Sequence, residues 1–121
     1  MHVMIVDDNP DARELLSEQL RVLGIESSTC HDGYEAVERY PNEHPDAVMM
    51  DIAMPRLDGL EATLRIRRMD PGACIFVVTA YSEEMLRRAS VAAGASGYYL
   101  KDNLDPLFAQ LVRRLGVAVG R

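Results

Sequence analysis

The chain has 121 residues, of which 48% are hydrophobic and 26% charged, so it can build the core of one ordinary globular domain. Its net charge of −6 argues against a broad nucleic-acid-binding face on this segment. No apolar run approaches the roughly 20 residues of a membrane span, and no signal-peptide pattern opens the chain. We therefore expect a cytoplasmic segment that binds neither membrane nor nucleic acid directly.

The first strand and helix have clear boundary signals. An apolar run at 2–6 stops at Asp7 and Asp8. Asn9 and Pro10 predict an N-cap and a first helical residue, and Gly24 predicts the end of the helix. One helical stripe is expected to be buried, formed by Ala12, Leu15, Leu16, Leu20 and Leu23.

The next segment, 25–30, is rich in Ser and Thr and predicts a weaker strand at an edge of the sheet. Residues 32–35 resemble a capping box. They predict a short helix through Tyr40, followed by a loop from Pro41 to Pro45.

The run 48–50 is apolar at every position, which predicts a strand buried on both faces. Such a strand delivers Asp51 to the carboxyl edge of the sheet, where open α/β sheets bind ligands. Pro55 and the turn after it keep the following segment out of a helix. Asp51 is therefore our candidate nucleophile.

The second half of the chain continues the alternation. A capping-box pattern at 58–61 predicts a helix that ends at 70–72, with Leu60 and Leu64 as its clearest buried pair. A strand at 74–78 stops at Thr79. Ser82 predicts the cap of a fourth helix, whose expected stripe is Met85, Leu86, Ala89 and Ala93.

A fifth strand at 97–100 stops at Lys101, and Asp105 with Pro106 predicts the start of a last helix. Its expected stripe is Leu107, Phe108, Leu111, Val112 and Leu115. Residues 1–116 are expected to form one domain, and 117–121 a tail or the start of a linker. Five alternating pairs predict a parallel sheet with helices on both faces, a doubly wound α/β domain.

Four of the five predicted strands end on chemically reactive residues, namely Asp7 with Asp8, Asp51, Thr79 and Lys101. Each of these residues alone is commonplace as a cap, a strand end or a solvated side chain. Because parallel strands end at one rim, we expect the four positions to converge there. Clustered carboxylates repel one another unless a cation joins them, and oxygen ligands suit Mg²⁺. A carboxylate, a metal and a lysine together suit phosphoryl transfer.

Other reactive residue types do not form a pattern. Cys30 and Cys74 are far apart and lack metal-ligand spacing, so both are expected to be buried free thiols. His2, His31 and His44 have no ligand spacing either.

Several motifs together make the chain resemble the receiver domains of two-component response regulators, from Val3 to about Leu115. Within the group, Lys101 followed by Asp102 is most similar to the NarL/FixJ receivers. The motifs are Val6-Asp7-Asp8-Asn9, Asp51-Ile52-Ala53-Met54-Pro55 through Asp58-Gly59, Val78-Thr79-Ala80, and the run from Ala93 to Lys101. The resemblance implies a CheY-like sheet of order 2-1-3-4-5.

The resemblance also implies roles for individual residues. Asp51 would accept a phosphoryl group from a histidine kinase or phosphotransfer protein. The implied Mg²⁺ ligands are Asp8, Asp51, the main-chain carbonyl of Ala53, and Asp7 through water. Lys101 would pair with the phosphoryl group, while Thr79 and Tyr98 would act as a switch. The readout surface would be the helix near Glu83, the strand 97–100 and the last helix, with homodimer formation on activation.

Two departures from the family pattern carry expectations. Asp102 replaces the proline that often follows the lysine, so we expect a trans peptide bond there. Ala53 and Tyr81, two residues after Asp51 and Thr79, offer no carboxylate or amide to orient water. The phosphorylated form is therefore expected to decay slowly.

Two other functions compete with a phosphorylation switch. A Mg²⁺-dependent phosphatase of the haloacid-dehalogenase type would usually carry a second Asp at the place of Ala53, and no cap domain fits this length. A receiver fold used only for docking or dimerisation would not need the reactive rim. We do not expect a turnover enzyme. The output is open: a target protein, or an output domain such as the helix-turn-helix domain usual in the NarL/FixJ group.

Overall fold

Strands and helices alternate five times in the computed structural model, which describes residues 2–54 and 58–115. The strands are β1 (His2–Val6), β2 (Glu26–Cys30), β3 (Ala47–Met50), β4 (Ile75–Thr79) and β5 (Gly97–Leu100). The helices are α1 (Pro10–Val22), α2 (Gly33–Glu43), α3 (Gly59–Met69), α4 (Glu84–Ala92) and α5 (Asp105–Leu115).

All strand pairs are parallel, and the sheet order is β2-β1-β3-β4-β5. This confirms the doubly wound α/β class and its order. Every residue of β3 is buried, whereas β2 is partly exposed at one edge, as expected. Because all five strands run the same way, their carboxyl ends share one rim of the sheet.

Alternating side chains of β1, β3 and β4 build two cores, one on each face of the sheet. On one face, Met4 and Val48 pack with Tyr40 of α2 and Ile66 of α3. On the other face, residues of α1 and α5 pack against the alternate positions of the strands. This second core includes Val3, Ile5, Leu16, Leu20, Met49, Phe76, Leu107 and Leu111. α4 contributes no hydrophobic residue to either core.

α1 has the predicted boundaries. The Asn9 side chain accepts hydrogen bonds from the backbone N–H groups of Asp11 and Ala12, and Gly24 adopts a φ of 78° after the helix. The predicted stripe was wrong at Leu15, which is 60% exposed. The buried line follows Leu16 and Leu20, and Leu15 lies about 100° around the helix from Leu16.

α2 does not end at Tyr40 but continues through Pro41 to Glu43. Pro41 removes one helical N–H in this last turn, and Glu43, the last residue of the helix, is held by a contact from outside it. Its carboxylate accepts a hydrogen bond from Ser28 Oγ at 2.6 Å. His44 ends the helix in the left-handed region, with φ 46°.

The buried faces of α3 and α4 differ from the predicted ones. In α3, Leu60 and Leu64 are only half-buried, while Ala62, Thr63 and Ile66 form the buried face. Apart from Ile66 this face is made of small residues, and at Gly59 the helix approaches the main chain of Asp51 closely.

In α4, Glu83 rather than Ser82 is the N-cap, and it makes no side-chain capping bond. Met85 is 82% exposed, and Ser90 is the buried position. The Ser90 hydroxyl donates to the Leu86 carbonyl, so a polar residue can be buried there.

Some of the remaining predictions are confirmed by the structure, and others are not. Cys30 is a buried free thiol, whereas Cys74 is half-buried. None of the described peptide bonds is cis, so the bond from Lys101 to Asp102 is trans as expected. The described helices include none that is both long and apolar enough to cross a bilayer. The turn predicted after Pro55, the side chain of Leu115 and the tail 117–121 lie outside the described residues.

Replacing Tyr40 by Phe is expected to lower stability at neutral pH but not in acid. The buried Tyr40 ring places its hydroxyl 2.7 Å from Asp70 Oδ2, and this hydrogen bond is the main cause of a lowered Asp70 pKa. A carboxyl whose pKa is lowered on folding stabilises the protein above its usual pKa, and loses that contribution as pH falls through the lowered value. Urea unfolding of both proteins at falling pH should therefore show converging midpoints; a constant difference would contradict this account.

Candidate functional site

Three carboxylates meet at the carboxyl rim of the sheet. Asp7 and Asp8 follow β1, and Asp51 follows β3; one oxygen from each lies within 4.8 Å of the others. Asp7 and Asp51 are buried, while Asp8 is exposed. The sheet itself brings them together, because the Asp51 N–H donates to the Val6 carbonyl at 2.9 Å.

Lys101 brings a positive charge to the same place. Its Nζ lies 2.8 Å from Asp7 Oδ2 and 3.3 Å from Asp51 Oδ2. The Lys101 N–H donates to the Thr79 carbonyl at 2.8 Å, which continues the pairing of β4 and β5 to the end of the strands. Residues from three strands therefore place one ammonium group between two buried carboxylates.

The environment sets the charge on these groups. Burial raises the pKa of Asp51, and the charge of Asp7 adds to the rise; the Ala53 N–H at 3.1 Å and Lys101 oppose it. Burial by itself would lower the pKa of Lys101. Its hydrogen bond to Asp7 and the charges of Asp51 and Asp7 outweigh burial, and the pKa of Lys101 is raised. Lys101 thus stays charged, and the ionised form of Asp51 is held at an electrostatic cost.

Oxygen ligands clustered in this way suit a hard divalent cation such as Mg²⁺. Two of the three carboxylates are buried, and a cation would relieve their mutual repulsion. The donor set therefore fits a divalent metal. The main chain of Ala53 lies next to the carboxylate cluster, because the Ala53 N–H donates a hydrogen bond to Asp51 Oδ1.

The two predicted switch residues, Thr79 and Tyr98, are both hydrogen-bonded to Tyr81. Thr79 is fully buried, and its Oγ1 accepts a hydrogen bond from the Tyr81 N–H at 3.2 Å. Tyr98 is half-buried, and its hydroxyl donates to the Tyr81 carbonyl. Both therefore contact the segment between β4 and α4, on either side of Tyr81.

Sequence reasoning missed two residues at the rim. A Cβ added to Gly59 would lie 2.0 Å from the main-chain oxygen of Asp51, so only glycine fits there. Arg13 Nη1 donates to the main-chain carbonyl of Asp7 at 2.7 Å. For Gly59 the available signal was its place in the Asp58-Gly59 motif. For Arg13 it was the position of a cation near the start of a helix, where the helix dipole disfavours positive charge.

The response regulator receiver domain family matches residues 3–113. Chemotaxis protein CheY of Halobacterium salinarum is 43% identical over 104 residues, covering 86% of this chain and 87% of that protein. Response regulator MprA of Mycobacterium avium is 37% identical over 92% of this chain. The match covers only 49% of MprA, so this chain spans about half the length of that relative.

Among solved structures, the response regulator TrrA of Thermotoga maritima, in complex with Mg²⁺ and BeF, superposes with a TM-score of 0.85 at 36% identity. The superposition covers 93% of this chain and 97% of TrrA. The fold, the strand-end residues and these matches agree: the chain belongs to the response regulator receiver domain family of two-component signalling.

Proposed function

We propose that this chain is a phosphorylation switch in which Asp51 accepts a phosphoryl group from a histidine kinase or a histidine phosphotransfer protein. The observation that carries the proposal is the position of the Lys101 ammonium, 2.8 Å from Asp7 and 3.3 Å from Asp51. In this arrangement a buried carboxylate lies beside a fixed cation and two further carboxylates. Such a site is better suited to accept a highly charged group than to serve as a structural ion pair.

In the proposed transfer, a carboxylate oxygen of Asp51 attacks the phosphorus of a phosphohistidine. A bond from oxygen to phosphorus forms, and the bond from phosphorus to nitrogen breaks. The electron pair of the broken bond stays on the imidazole, which then takes up a proton. Lys101 balances the negative charge on the phosphoryl oxygens, where a preorganised cation is most effective. The product is an acyl phosphate on Asp51.

Mg²⁺ would be held by Asp8, Asp51 and the main-chain carbonyl of Ala53, and by Asp7 through water. It would neutralise charge on the phosphoryl oxygens. The cluster of the three aspartates supports this assignment. TrrA, with 36% identity, was solved in complex with Mg²⁺ and BeF, which adds support by analogy.

The proposed output surface is formed by α4, β5 and α5. Tyr98 on β5 holds the segment before α4 through the Tyr81 carbonyl, and Thr79 bonds to the N–H of the same residue. A phosphoryl group that attracts the Thr79 hydroxyl would break its bond to Tyr81 and disturb this segment. α4 is suited to respond, because Glu83 gives it no side-chain cap and Met85 is 82% exposed. Such a local change biasing a two-state element is a common switch design.

The test is incorporation of phosphate from a small phosphoramidate with excess Mg²⁺, measured by intact mass. The wild-type chain is expected to take up one phosphoryl group, and Asp51→Asn none. Asp46→Asn is the matched control, because Asp46 precedes the same strand at the opposite edge and its bond to the His2 N–H can be kept by asparagine. Chelation of Mg²⁺ should abolish the reaction.

Lack of incorporation by the wild-type chain would reject the switch and favour a docking role. Full incorporation by Asp51→Asn would move the acceptor elsewhere. In the same assay, the phosphorylated protein should lose its label slowly, because Ala53 and Tyr81 offer no group to orient water. Rapid loss would contradict that part of the proposal. Multiple turnover of a phosphomonoester would indicate a phosphatase instead.

A further inference from the structure

Arg13 reaches from α1 back to the loop that carries the acidic residues. Its Nη1 donates to the main-chain oxygen of Asp7 at 2.7 Å, in a partly buried position. The backbone of Arg13 bonds to the Asn9 carbonyl at 3.1 Å, so the side chain extends from the first turn of the helix.

The stability of α1 does not explain a cation in this position. The amino end of a helix carries a partial positive charge, which favours acidic residues such as Asp11 and disfavours arginine. Arg13 therefore costs the helix a little, and the contact that offsets this cost is the hydrogen bond to Asp7.

This bond completes the immobilisation of Asp7. The Asp7 N–H donates to the Cys30 carbonyl at 3.1 Å, and Oδ1 accepts from the Asn9 N–H at 2.9 Å. Oδ2 lies 2.8 Å from Lys101 Nζ. With Arg13 on the carbonyl, each polar group of Asp7 has a partner.

The Asp7 carbonyl belongs to the peptide unit that joins Asp7 to Asp8. A peptide unit is planar, so a bond that holds its oxygen also fixes where the backbone places Asp8. Asp8 is exposed and has little packing of its own to orient it. Mg²⁺ demands nearly ideal octahedral geometry, so a loose Asp8 would have to be ordered at the moment of binding, at a cost in affinity.

We propose that Arg13 is a positioning residue of the acidic site, which holds the Asp7–Asp8 peptide so that the Asp8 carboxylate is oriented before a divalent cation binds. The inference rests on the proposed function in taking Mg²⁺ as that cation. Positioning and simple electrostatics predict opposite results here. Removing a positive charge beside three carboxylates would by itself strengthen cation binding, whereas loss of the orientation weakens it.

The test compares Arg13→Met with Arg13→Lys, whose ammonium can still reach the carbonyl. Arg21→Met is the control, because Arg21 lies on the exposed side of the same helix and pairs only with Glu18 among the described residues. Two readouts are measured by NMR: the backbone order parameter of the Asp8 amide in the metal-free protein, and the Mg²⁺ dissociation constant. Arg13→Met is expected to lower the order parameter and to weaken Mg²⁺ binding about tenfold, as for other residues that orient ligands. Arg13→Lys should restore most of both, and Arg21→Met should change neither.

Mg²⁺ binding by Arg13→Met that equals or exceeds that of the wild type would overturn the inference, as would an unchanged order parameter of the Asp8 amide. Should Arg13→Met not fold, Arg13→Gln, which is too short to reach the carbonyl, is measured in the same way. A wild-type chain that binds no Mg²⁺ would reject the proposed function. The order parameter of the Asp8 amide in the metal-free protein would still decide whether Arg13 holds the peptide.

Discussion

Replacement of Gly59 by alanine is expected to destabilise the protein by about 3 kcal/mol or more and to impair phosphorylation of Asp51. The added Cβ would lie 2.0 Å from the Asp51 oxygen, 2.7 Å from its carbonyl carbon and 2.7 Å from Ile52 Cα. All three atoms belong to the main chain, so no side-chain rotation can relieve the overlap. Either α3 moves away from the sheet or Asp51 moves away from Lys101.

The sign of this effect separates steric overlap from helix propensity. Alanine favours a helix by about 1 kcal/mol over glycine, so propensity alone would make the variant more stable. Gly72→Ala is the matched control, because the nearest atom to its added Cβ would be Asp70 Oδ1 at an ordinary 3.5 Å. Urea unfolding should show a change within about 0.5 kcal/mol for Gly72→Ala. Equal stabilities of Gly59→Ala and wild type would contradict the close approach of α3 to Asp51.

Replacement of Lys101 by methionine is expected to slow phosphorylation of Asp51 by roughly 100-fold or more, the range seen when one preorganised group is removed from a reacting centre. Among the residues that the structure describes, Lys101 is the cation that contacts both Asp7 and Asp51. Without it, burial and the charge of Asp7 raise the Asp51 pKa unopposed by the ammonium. The variant should therefore lose rate both through the missing charge and through a smaller ionised fraction of Asp51.

The pH profile of the rate tests the second effect. Since the Asp51 pKa rises further in Lys101→Met, the fall in rate on acidification should begin at a higher pH than in the wild type. Lys101→Arg keeps the charge but replaces a compact ammonium by a planar fork, so it should retain more activity than the methionine variant. Circular dichroism checks that each variant is folded. Wild-type rates in Lys101→Met would remove Lys101 from the mechanism.

Local chemistry made the ends of several elements predictable. Asn9 and Asp58 cap α1 and α3 with their own side chains, and such bonds span only two or three residues. Residue type alone places these side chains near the helix starts. The start of the fourth helix was predicted wrongly. Ser82 has the chemistry of an N-cap, but the helix begins one residue later than that cap would require.

Burial on the helices was predicted less well. Leu15 and Met85 are apolar and fall on plausible stripes, yet both are mostly exposed. An apolar stripe restricts a helix to a range of rotations about its axis, and the packing partner selects one of them. Small residues such as Ala62 and Thr63 then occupy the buried face of α3, which hydrophobicity does not reveal.

By itself, the sequence determined the order of the elements, the parallel sheet and the set of reactive residues at its carboxyl rim. It could do so because apolar runs, caps and glycines act within a few neighbouring residues, and parallel strands share one carboxyl edge. Only the tertiary structure decided that Lys101 lies between Asp7 and Asp51, that α3 touches the Asp51 carbonyl at Gly59, and that Arg13 holds the Asp7 carbonyl. The physical reason is that these contacts depend on directions in space, which residue spacing along the chain does not specify.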